Sequence, residues 1–475
     1  MIRQGNAALV ARRIREQHVT TVEQATIPQP SFGEFLSACL RIGLMSFGGP
    51  AAQIALMHRV CVDEKRWISE DRFLHALNFC MLLPGPEAQQ LATYIGWLTH
   101  GVRGGMVAGL LFVLPGLAVI LGLSTLYAYY HDVGWVTGLF FGLKAAILAI
   151  VVEAVVRIGR RALKTRFHRV VALSAFLALF VFALPFPLVV LMAGVAGLAE
   201  ARAVARDGET RPVADLADPA PAARRPLGRS LATLAFWLIV WQAPLLPLWL
   251  FSGESGLAEV FAFFSRMALV TFGGAYAVLA YVAQVAVEQY HWLEPGEMLD
   301  GLALAETTPG PLVLVLSYVG FLAGFRDAGG LPPFLGAVLG GLLAAWATFV
   351  PSFVWIFAGA PYVERLRGNR LITAALSAIT AAVVGVILNL AVWFALHVLF
   401  AEVGRWSIWP AATGAAAGTA PAFSVSLPLP DMATLDPAAL MLALLAAVMI
   451  FLLKQGMGRT LIAAAALGLL YRLVV

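Results

Sequence analysis

Charged side chains are scarce in this sequence of 475 residues, and their scarcity excludes a soluble globular protein. Asp, Glu, Lys and Arg make up only 12% of the chain, roughly half of the usual share of about 25%. Apolar residues make up 60%, and the mean hydropathy is +0.84. Too few polar side chains remain to cover a water-facing surface. The composition therefore predicts an all-α polytopic membrane protein, because helices satisfy their own backbone hydrogen bonds in lipid.

Clusters of cysteine and histidine are missing as well, which excludes several kinds of site. The three cysteines, Cys39, Cys61 and Cys80, have no paired spacing, and the eight histidines form no HExxH motif. Zinc, haem and disulfide frameworks need such clusters, so we expect no metal, no cofactor and no catalytic residues. The net charge of +5 lies in short basic runs between apolar stretches, which is typical of cytoplasmic loops and not of nucleic-acid binding.

Two polar, Arg-rich stretches divide the chain. The first one lacks the apolar region of a signal peptide and is expected to be a cytoplasmic tail. The second is rich in Pro and Ala and has the composition of a flexible linker. The predicted organisation is a tail (1–30), a first repeat (31–200), a cytoplasmic linker (201–229) and a second repeat (230–475), with a core at 258–400 and a terminal hairpin at 438–474.

Uninterrupted apolar stretches long enough to cross a bilayer of roughly 30 Å predict the membrane spans. They run over 106–127, 138–156, 231–251, 334–357 and 371–399. Two further apolar pairs predict short helical hairpins, 170–184 with 188–198 and 438–453 with 460–473.

The two halves of the chain are copies of one another. Residues 41–91 contain 16 identities in 51 positions when they are compared, without a gap, with the residues 225 positions later. The recurring residues are Arg41, Phe47, Gly48, Gly49, Val62, Trp67, Pro84, Gly85 and Pro86, matched by Arg266, Phe272, Gly273, Gly274, Val287, Trp292, Pro309, Gly310 and Pro311. Such internal similarity predicts two copies of one structural unit.

Basic residues change sides between the two copies. Residues 59–72 hold four Lys or Arg, whereas the matching 284–297 hold none. Residues 157–169 hold six, whereas the matching 393–405 hold one. Because Lys and Arg mark the cytoplasmic side of a membrane protein, the copies are predicted to be inverted relative to each other, as in many secondary transporters. The span at 231–251 supplies the change of side.

Glycine and proline interrupt two apolar stretches at the start of each copy. In the first copy the interruptions are Phe47-Gly48-Gly49-Pro50 and Pro84-Gly85-Pro86, and both residue types stop a helix. The eleven residues of 73–83 span roughly 16 Å at 1.5 Å per residue, about half a bilayer. We interpret the interrupted stretches as re-entrant hairpins with tips at mid-membrane, and a pair of broken full spans is the alternative.

The helix that restarts after Pro-Gly-Pro points its free N–H groups and its positive dipole end at the tip, which predicts an anion site. Arg41 and Arg266 each precede Phe-Gly-Gly by six residues, and a guanidinium suits an oxyanion. Snorkelling to the membrane interface or pairing with a carboxylate is the alternative role. The predicted substrate-binding residues are Arg41, Gly48, Gly49, Pro84, Gly85, Pro86, Arg266, Gly273, Gly274, Thr308, Pro309, Gly310 and Pro311.

Two carboxylates break the symmetry between the copies. Glu87 directly follows the first Pro-Gly-Pro and is matched by Leu312, while Glu306 shortly precedes the second and is matched by Met81. Both are candidates for proton coupling, because ionisable groups within a membrane segment are commonly functional. Helix capping is the alternative role for Glu87.

The spacing that both copies keep resembles the chromate ion transporter family in its long, two-domain form. It consists of Phe-Gly-Gly, twelve residues, Val62, four residues, Trp67, sixteen residues and Pro84-Gly85-Pro86. The resemblance covers most of the chain. It implies chromate efflux and chromate resistance in a bacterial cytoplasmic membrane, with sulfate as a related substrate. The second copy departs from the pattern, since Phe272-Gly273-Gly274 is followed by Ala275 and not by proline.

We therefore expect a multi-pass transporter in the lipid bilayer that exports chromate, driven by the membrane potential with proton exchange as a second contribution. Transport of sulfate or another anion and uptake in place of export are alternatives. An anion channel would share the fold. A membrane enzyme would need a catalytic constellation, and a structural scaffold would lack buried charge. No nucleic-acid partner is expected, and the oligomeric state stays open, a homodimer included.

Overall fold

The computed structural model describes residues 29–206, 227–251, 256–271, 275–359, 370–407 and 425–474. Over these ranges the chain is almost entirely helical, apart from one antiparallel pair of short strands, β1 (Val403–Ser407) and β2 (Ser426–Pro430). The sequence-based predictions for residues 1–28, for most of the linker and for Gly273 and Gly274 lie outside the described residues.

Seventeen helices are numbered here in chain order within the described ranges. The first copy contains α1 (Phe32–Met45), α2 (Gly49–His58), α3 (Glu70–Cys80), α4 (Glu87–Tyr130), α5 (Gly134–Ala162), α6 (Arg166–Phe180) and α7 (Phe186–Arg206). Between the copies lie α8 (Leu227–Gln242) and α9 (Leu245–Phe251). The second copy contains α10 (Gly256–Val270), α11 (Ala275–Glu288), α12 (Pro295–Thr307), α13 (Val315–Arg326), α14 (Pro333–Gly359), α15 (Arg370–Leu399), α16 (Pro437–Ala447) and α17 (Met457–Val474).

Six of these helices are long and apolar enough to cross a membrane: α4, α5, α7, α14, α15 and α17. Four of the five predicted uninterrupted spans fall within them. The fifth, 231–251, is divided into α8 and α9 by a turn at Ala243-Pro244, where proline has no N–H to continue the helical ladder. Helix α7 also continues to Arg206, further than the predicted start of the linker at 201.

The main chain turns in the same way before the two equivalent tryptophans. The N–H groups of Trp67 and Trp292 each donate to the carbonyl six residues earlier, both at 2.8 Å. Arg66 and His291, which are equivalent positions, both have positive φ angles, 53° and 52°. Residues other than glycine rarely adopt this backbone conformation. The two copies therefore share local structure as well as sequence.

In the first copy, the two ends of each interrupted stretch lie close together. The Lys65 ammonium after α2 lies 2.8 Å from the Glu34 carboxylate in the first turn of α1. Phe35 in α1 packs against Trp67 before α3 and against His100 at the end of the first arm of α4, with ring centroids 5.9 and 4.8 Å apart. These contacts favour the hairpin interpretation, because in broken full spans the two ends would lie on opposite sides.

Helix α4 combines the returning arm of a hairpin with a full span. The helical geometry is interrupted at 100–101, where Gly101 has a φ of 62°. The arm then lies so close against the span that a Cβ on Gly96 would fall within 3.0 Å of the Gly104 carbonyl oxygen. Gly320 and Gly340 make the equivalent close approach between α13 and α14. Glycine is needed at these crossings because the two backbones are in contact.

The inversion of the copies is a prediction that can be tested at a matched pair of positions. Single cysteines at Arg66 and His291, in a variant without the three native cysteines, occupy equivalent exposed positions. If the basic loops mark the cytoplasm, a membrane-impermeant thiol reagent added outside intact cells should modify H291C and not R66C. Modification of both or of neither from one side would contradict the inversion, and labelling of lysed cells controls for reactivity.

Candidate functional site

The first interruption places two glycines in conformations that other residues rarely adopt. Helix α1 ends at Met45, and Gly48, with a φ angle of 86°, precedes α2, whose first residue Gly49 has a φ of 77°. Pro50 occupies the first turn of α2, where its missing N–H costs nothing. The local sequence thus produces a sharp reversal between two short helices.

The Pro-Gly-Pro motifs form a second kind of reversal, one in each copy. Gly85 lies between α3 and α4 with a φ of 119°, and Gly310 lies between α12 and α13 with a φ of 98°. These two segments, 84–86 and 309–311, are called the Pro-Gly-Pro turns below. The second turn is completely buried, whereas Pro84 in the first is only partly buried.

Each Pro-Gly-Pro turn donates a backbone hydrogen bond to the other copy. The Gly85 N–H donates to the carbonyl oxygen of Thr271 at 2.9 Å, and the Gly310 N–H donates to the carbonyl oxygen of Ser46 at 2.7 Å. Ser46 and Thr271 are equivalent residues at the ends of α1 and α10. Their hydroxyl groups both donate back to their own helices at 2.6 Å, so the two contacts form a reciprocal pair.

The two copies approach each other closely around these turns. A Cβ on Gly116 of α4 would lie well within 3.0 Å of the Pro309 carbonyl oxygen, and the equivalent residue, Ser352 of α14, lies next to Gly85. The same exchange recurs further along these helices, where Gly105 faces Phe357 and the equivalent Gly341 faces Leu121. The two long helices therefore pack against each other's Pro-Gly-Pro region.

Three buried glutamines of the first copy donate hydrogen bonds to backbone carbonyls in or near the two Pro-Gly-Pro turns. Gln53 donates from Nε2 to the Gly310 carbonyl at 2.7 Å, Gln90 donates to the Pro84 carbonyl at 2.7 Å, and Gln89 donates to the Phe349 carbonyl at 3.4 Å. The Oε1 atoms of all three are buried and have no partner among the described residues. The equivalent residues of the second copy are Val278, Val315 and Leu314, so the first copy supplies the buried amide groups of this region.

The two candidate proton carriers lie in different surroundings. Glu87 occupies the first turn of α4, is partly buried, and has no hydrogen bond or ion pair to any described residue. Glu306 is buried and accepts a hydrogen bond from the Tyr276 hydroxyl at 2.7 Å. Arg157 and Glu153, an ion pair on α5 with atoms 3.5 Å apart, lie within electrostatic range of Glu306.

The remaining predicted residues of this region are placed as follows. Thr308 is buried and donates its hydroxyl to the Leu304 carbonyl of its own helix at 2.6 Å. That bond satisfies one of the open carbonyls at the end of α12. Pro309 and Pro311 are buried on either side of Gly310.

Neither predicted arginine contacts a Pro-Gly-Pro turn in this structure. The Arg41 side chain is 54% exposed, and its Nη1 lies 3.4 Å from the Glu64 carboxylate. Arg266 is exposed and donates from Nε to the Ala262 carbonyl of its own helix at 3.2 Å. Arg41 thus takes the carboxylate partner that the sequence left open as an alternative, and a direct role of either arginine in anion binding stays a prediction.

The family of the chain follows from a comparison with known proteins. The model of a family described as chromate transporter matches residues 33–198 and again residues 258–473. The chain belongs to the chromate transporter family. Each match covers one copy, from the first interrupted stretch to the terminal helical pair, so this family membership accounts for both repeats. Chromate transporters are membrane transport proteins and not enzymes.

Curated relatives agree with this assignment. A chromate transport protein from Pseudomonas aeruginosa is 33% identical over 78% of this chain and 83% of its own length. A chromate transport protein from Cupriavidus metallidurans is 28% identical over 76% of this chain and 82% of its own length. An uncharacterized transporter from Bacillus subtilis is 29% identical over only 28% of this chain and 68% of its own length. No solved structure matches the chain.

Gln53, Ser46 and Thr271 were not among the residues predicted from the sequence for this site. Ser46 and Thr271 act through backbone carbonyls, which no side-chain motif reveals. Gln53 is the one amide in the apolar helix α2, and a polar residue in such a helix is the signal that would have indicated it. The structure thus adds three residues that accept from or donate to the Pro-Gly-Pro turns through hydrogen bonds.

The packing of the second Pro-Gly-Pro turn against α4 predicts different effects of two substitutions in one helix. Gly116→Ala places a methyl group against the Pro309 backbone, whereas Gly122→Ala meets nothing within 4 Å. We expect G116A to cost about 1–3 kcal/mol of stability and to abolish transport. We expect G122A to leave both unchanged or to stabilise slightly. Thermal unfolding in detergent and oxyanion flux in proteoliposomes measure the two effects, and equal behaviour of the variants would contradict this packing.

Proposed function

We propose that this protein exports chromate across a bacterial cytoplasmic membrane through a site between the two Pro-Gly-Pro turns. The observation that carries the proposal is the reciprocal pair of backbone hydrogen bonds, which joins both turns to the opposite copy. Interrupted helices are tolerated at membrane depth only where they are buried in protein or line a polar cavity. Family membership and the curated relatives named chromate transport proteins support chromate as the substrate.

The helix ends provide the attraction for an oxyanion. Helix α4 begins directly after the first turn without a side-chain cap, and the 3-10 turn Leu312–Leu314 begins directly after the second, also without one. Their free N–H groups and the positive ends of their dipoles favour negative charge. We include the backbone N–H groups of Gly48 and Gly49, and of the equivalent Gly273 and Gly274, among the proposed anion ligands.

Arg41 and Arg266 are proposed as further ligands that act during entry and release. Both guanidinium groups are exposed in this structure, and among the described residues Arg41 forms an ion pair with Glu64. A dianion passing these helices would compete with Glu64 for the planar guanidinium.

The reciprocal contacts also support an inverted relation between the copies. An exchange in which residue i of one copy contacts residue j of the other, and j contacts i, is the mark of a two-fold relation. Two-fold related repeats around a midplane site are the arrangement used for alternating access. We propose this mechanism for the transport cycle, with a homodimer as a compatible assembly.

Glu87 and the proposed anion share one helix end, which predicts coupling to protons. An ionised Glu87 and a dianion at the start of α4 repel each other, so proton binding at Glu87 and anion binding favour each other. We expect chromate to bind more tightly at acid pH than at neutral pH in the wild type. In Glu87→Gln this dependence should be lost, with affinity fixed near the acid value.

Matched variants make this measurement specific. Glu259→Gln removes another first-turn glutamate, exposed on α10, and should keep the wild-type pH dependence. Glu306→Gln removes the second candidate carrier, which hydrogen-bonds to Tyr276, and tests whether proton exchange also passes there. Chromate-dependent quenching of tryptophan fluorescence reports binding, and an unchanged pH dependence in E87Q would refute a role for Glu87.

The direction of transport follows from the charge of the substrate. A dianion that leaves a cell with a negative interior gains about 2.3 kcal/mol per charge per 100 mV, roughly 4.6 kcal/mol in total. In proteoliposomes with a potential set by valinomycin and no pH gradient, chromate should therefore move toward the positive side, and its flux should saturate with concentration. Flux that follows only an imposed pH gradient would replace this mechanism with obligatory proton exchange. Non-saturating flux would favour the anion channel, and a parallel series with sulfate compares the two substrates.

A further inference from the structure

A second buried polar cluster lies apart from the Pro-Gly-Pro turns, where α5 of the first copy meets α12 of the second. Asp300 is its centre and is only 3% exposed. The carboxylate atom Oδ2 accepts a hydrogen bond from the Tyr127 hydroxyl at 2.8 Å and lies 3.1 Å from the Lys144 ammonium. Oδ1 is buried and has no partner among the described residues. An acid–base pair therefore joins the two copies inside the membrane region.

The charged and titratable groups around Asp300 leave Lys144 as its principal counter-ion. Glu297, one turn earlier on α12, is already paired with Arg326 of α13 at 2.6 Å. The other groups that face this region are Tyr127 and His131 from α4 and the loop after it, Tyr318 from α13 and Glu306 further along α12. Glu306 is six residues away, about 9 Å along the helix.

The two copies carry different side chains at this place. The residues equivalent to Asp300 and Lys144 are His75 and Thr380, so neither the carboxylate nor the ammonium is repeated in the other copy. Leu299 beside Asp300 is fully buried, whereas the equivalent Leu74 on α3 is 45% exposed. Position 299 on α12 is thus covered by protein, whereas the equivalent position on α3 is not. The Asp300–Lys144 ion pair thus involves the more buried of these two equivalent helices.

We propose that Asp300 is a proton-binding site and that its protonation releases Lys144 and allows α5 and α12 to separate. A proton from water adds to the free Oδ1, the neutral carboxyl keeps the hydrogen bond from Tyr127, and Lys144 remains an ammonium without its counter-ion. An ion pair of low exposure loses most of its attraction when one partner is neutralised. The use of this separation as a gate for transport rests on the proposed function, whereas proton binding itself does not.

A single cysteine reports the separation without any transport measurement. Ala303→Cys, on α12 one turn beyond Asp300 and fully buried, is placed in a variant without the native cysteines Cys39, Cys61 and Cys80. Asp132→Cys, at a side chain that is 91% exposed, serves as the reference for thiol reactivity. Purified protein in nanodiscs exposes both faces to a methanethiosulfonate reagent.

We expect the labelling rate at 303, relative to that at 132, to rise about tenfold as the pH falls from about 7.5 to about 5.5, a change of about 1.4 kcal/mol in the closed state. In Asp300→Asn and in Lys144→Gln the ratio should be high at both pH values. Asp300→Glu keeps a carboxyl group and should keep the pH response. A flat ratio in the wild type, or an unchanged response in both D300N and K144Q, would overturn the proposal.

Chromate flux measured on the same variants separates the two proposals. A pH-dependent labelling ratio together with absent flux in the wild type would support the proton site and refute the proposed transport function. Normal flux together with a flat ratio would do the reverse.

Discussion

Satisfaction of backbone groups at the interrupted helices is the constraint on which the rest of this structure depends. Chain reversals at Phe-Gly-Gly and Pro-Gly-Pro leave N–H and carbonyl groups that lipid cannot satisfy. Each copy supplies the missing partner for the other, through Gly85 with Thr271 and Gly310 with Ser46. The N–H group of the central glycine in each turn finds its acceptor in the opposite copy. The duplication is therefore a structural requirement of the site as well as a feature of the sequence.

Close approach of the two copies follows from these short hydrogen bonds. The turn backbone leaves no room for a side chain at Gly116, which meets the Pro309 carbonyl, while Gly105 and Gly341 make room for the side chains of Phe357 and Leu121 from the other copy. Because the second copy offers Val278, Leu314 and Val315 where the first offers glutamines, the buried amide side chains come from the first copy. A substrate at this interface would meet amide groups from one copy and helix ends from both.

Ionisable groups have diverged between the copies although both keep the Pro-Gly-Pro turns. Glu87, Glu306, Asp300 and Lys144 are each present in one copy only. If the copies are inverted, as proposed, such differences distinguish one face of the molecule from the other. The partly exposed first turn and the fully buried second turn are the packing counterpart of this chemical difference.

The sequence by itself determined the membrane class, the two copies and the positions of the reversals. Hydropathy defined four of the five uninterrupted spans, and the Pro-Gly-Pro motifs around Gly85 and Gly310 interrupt their helices, since both effects are local. The division of 231–251 at Pro244 was not predicted, because proline inside apolar helices is often tolerated by neighbouring helices. Only the tertiary structure decided that Arg41 pairs with Glu64, that Gln53 reaches Gly310, and that Asp300 meets Lys144. These partners lie far apart in the chain, and which of them meet depends on how the two copies interlock, a relation that no local pattern encodes.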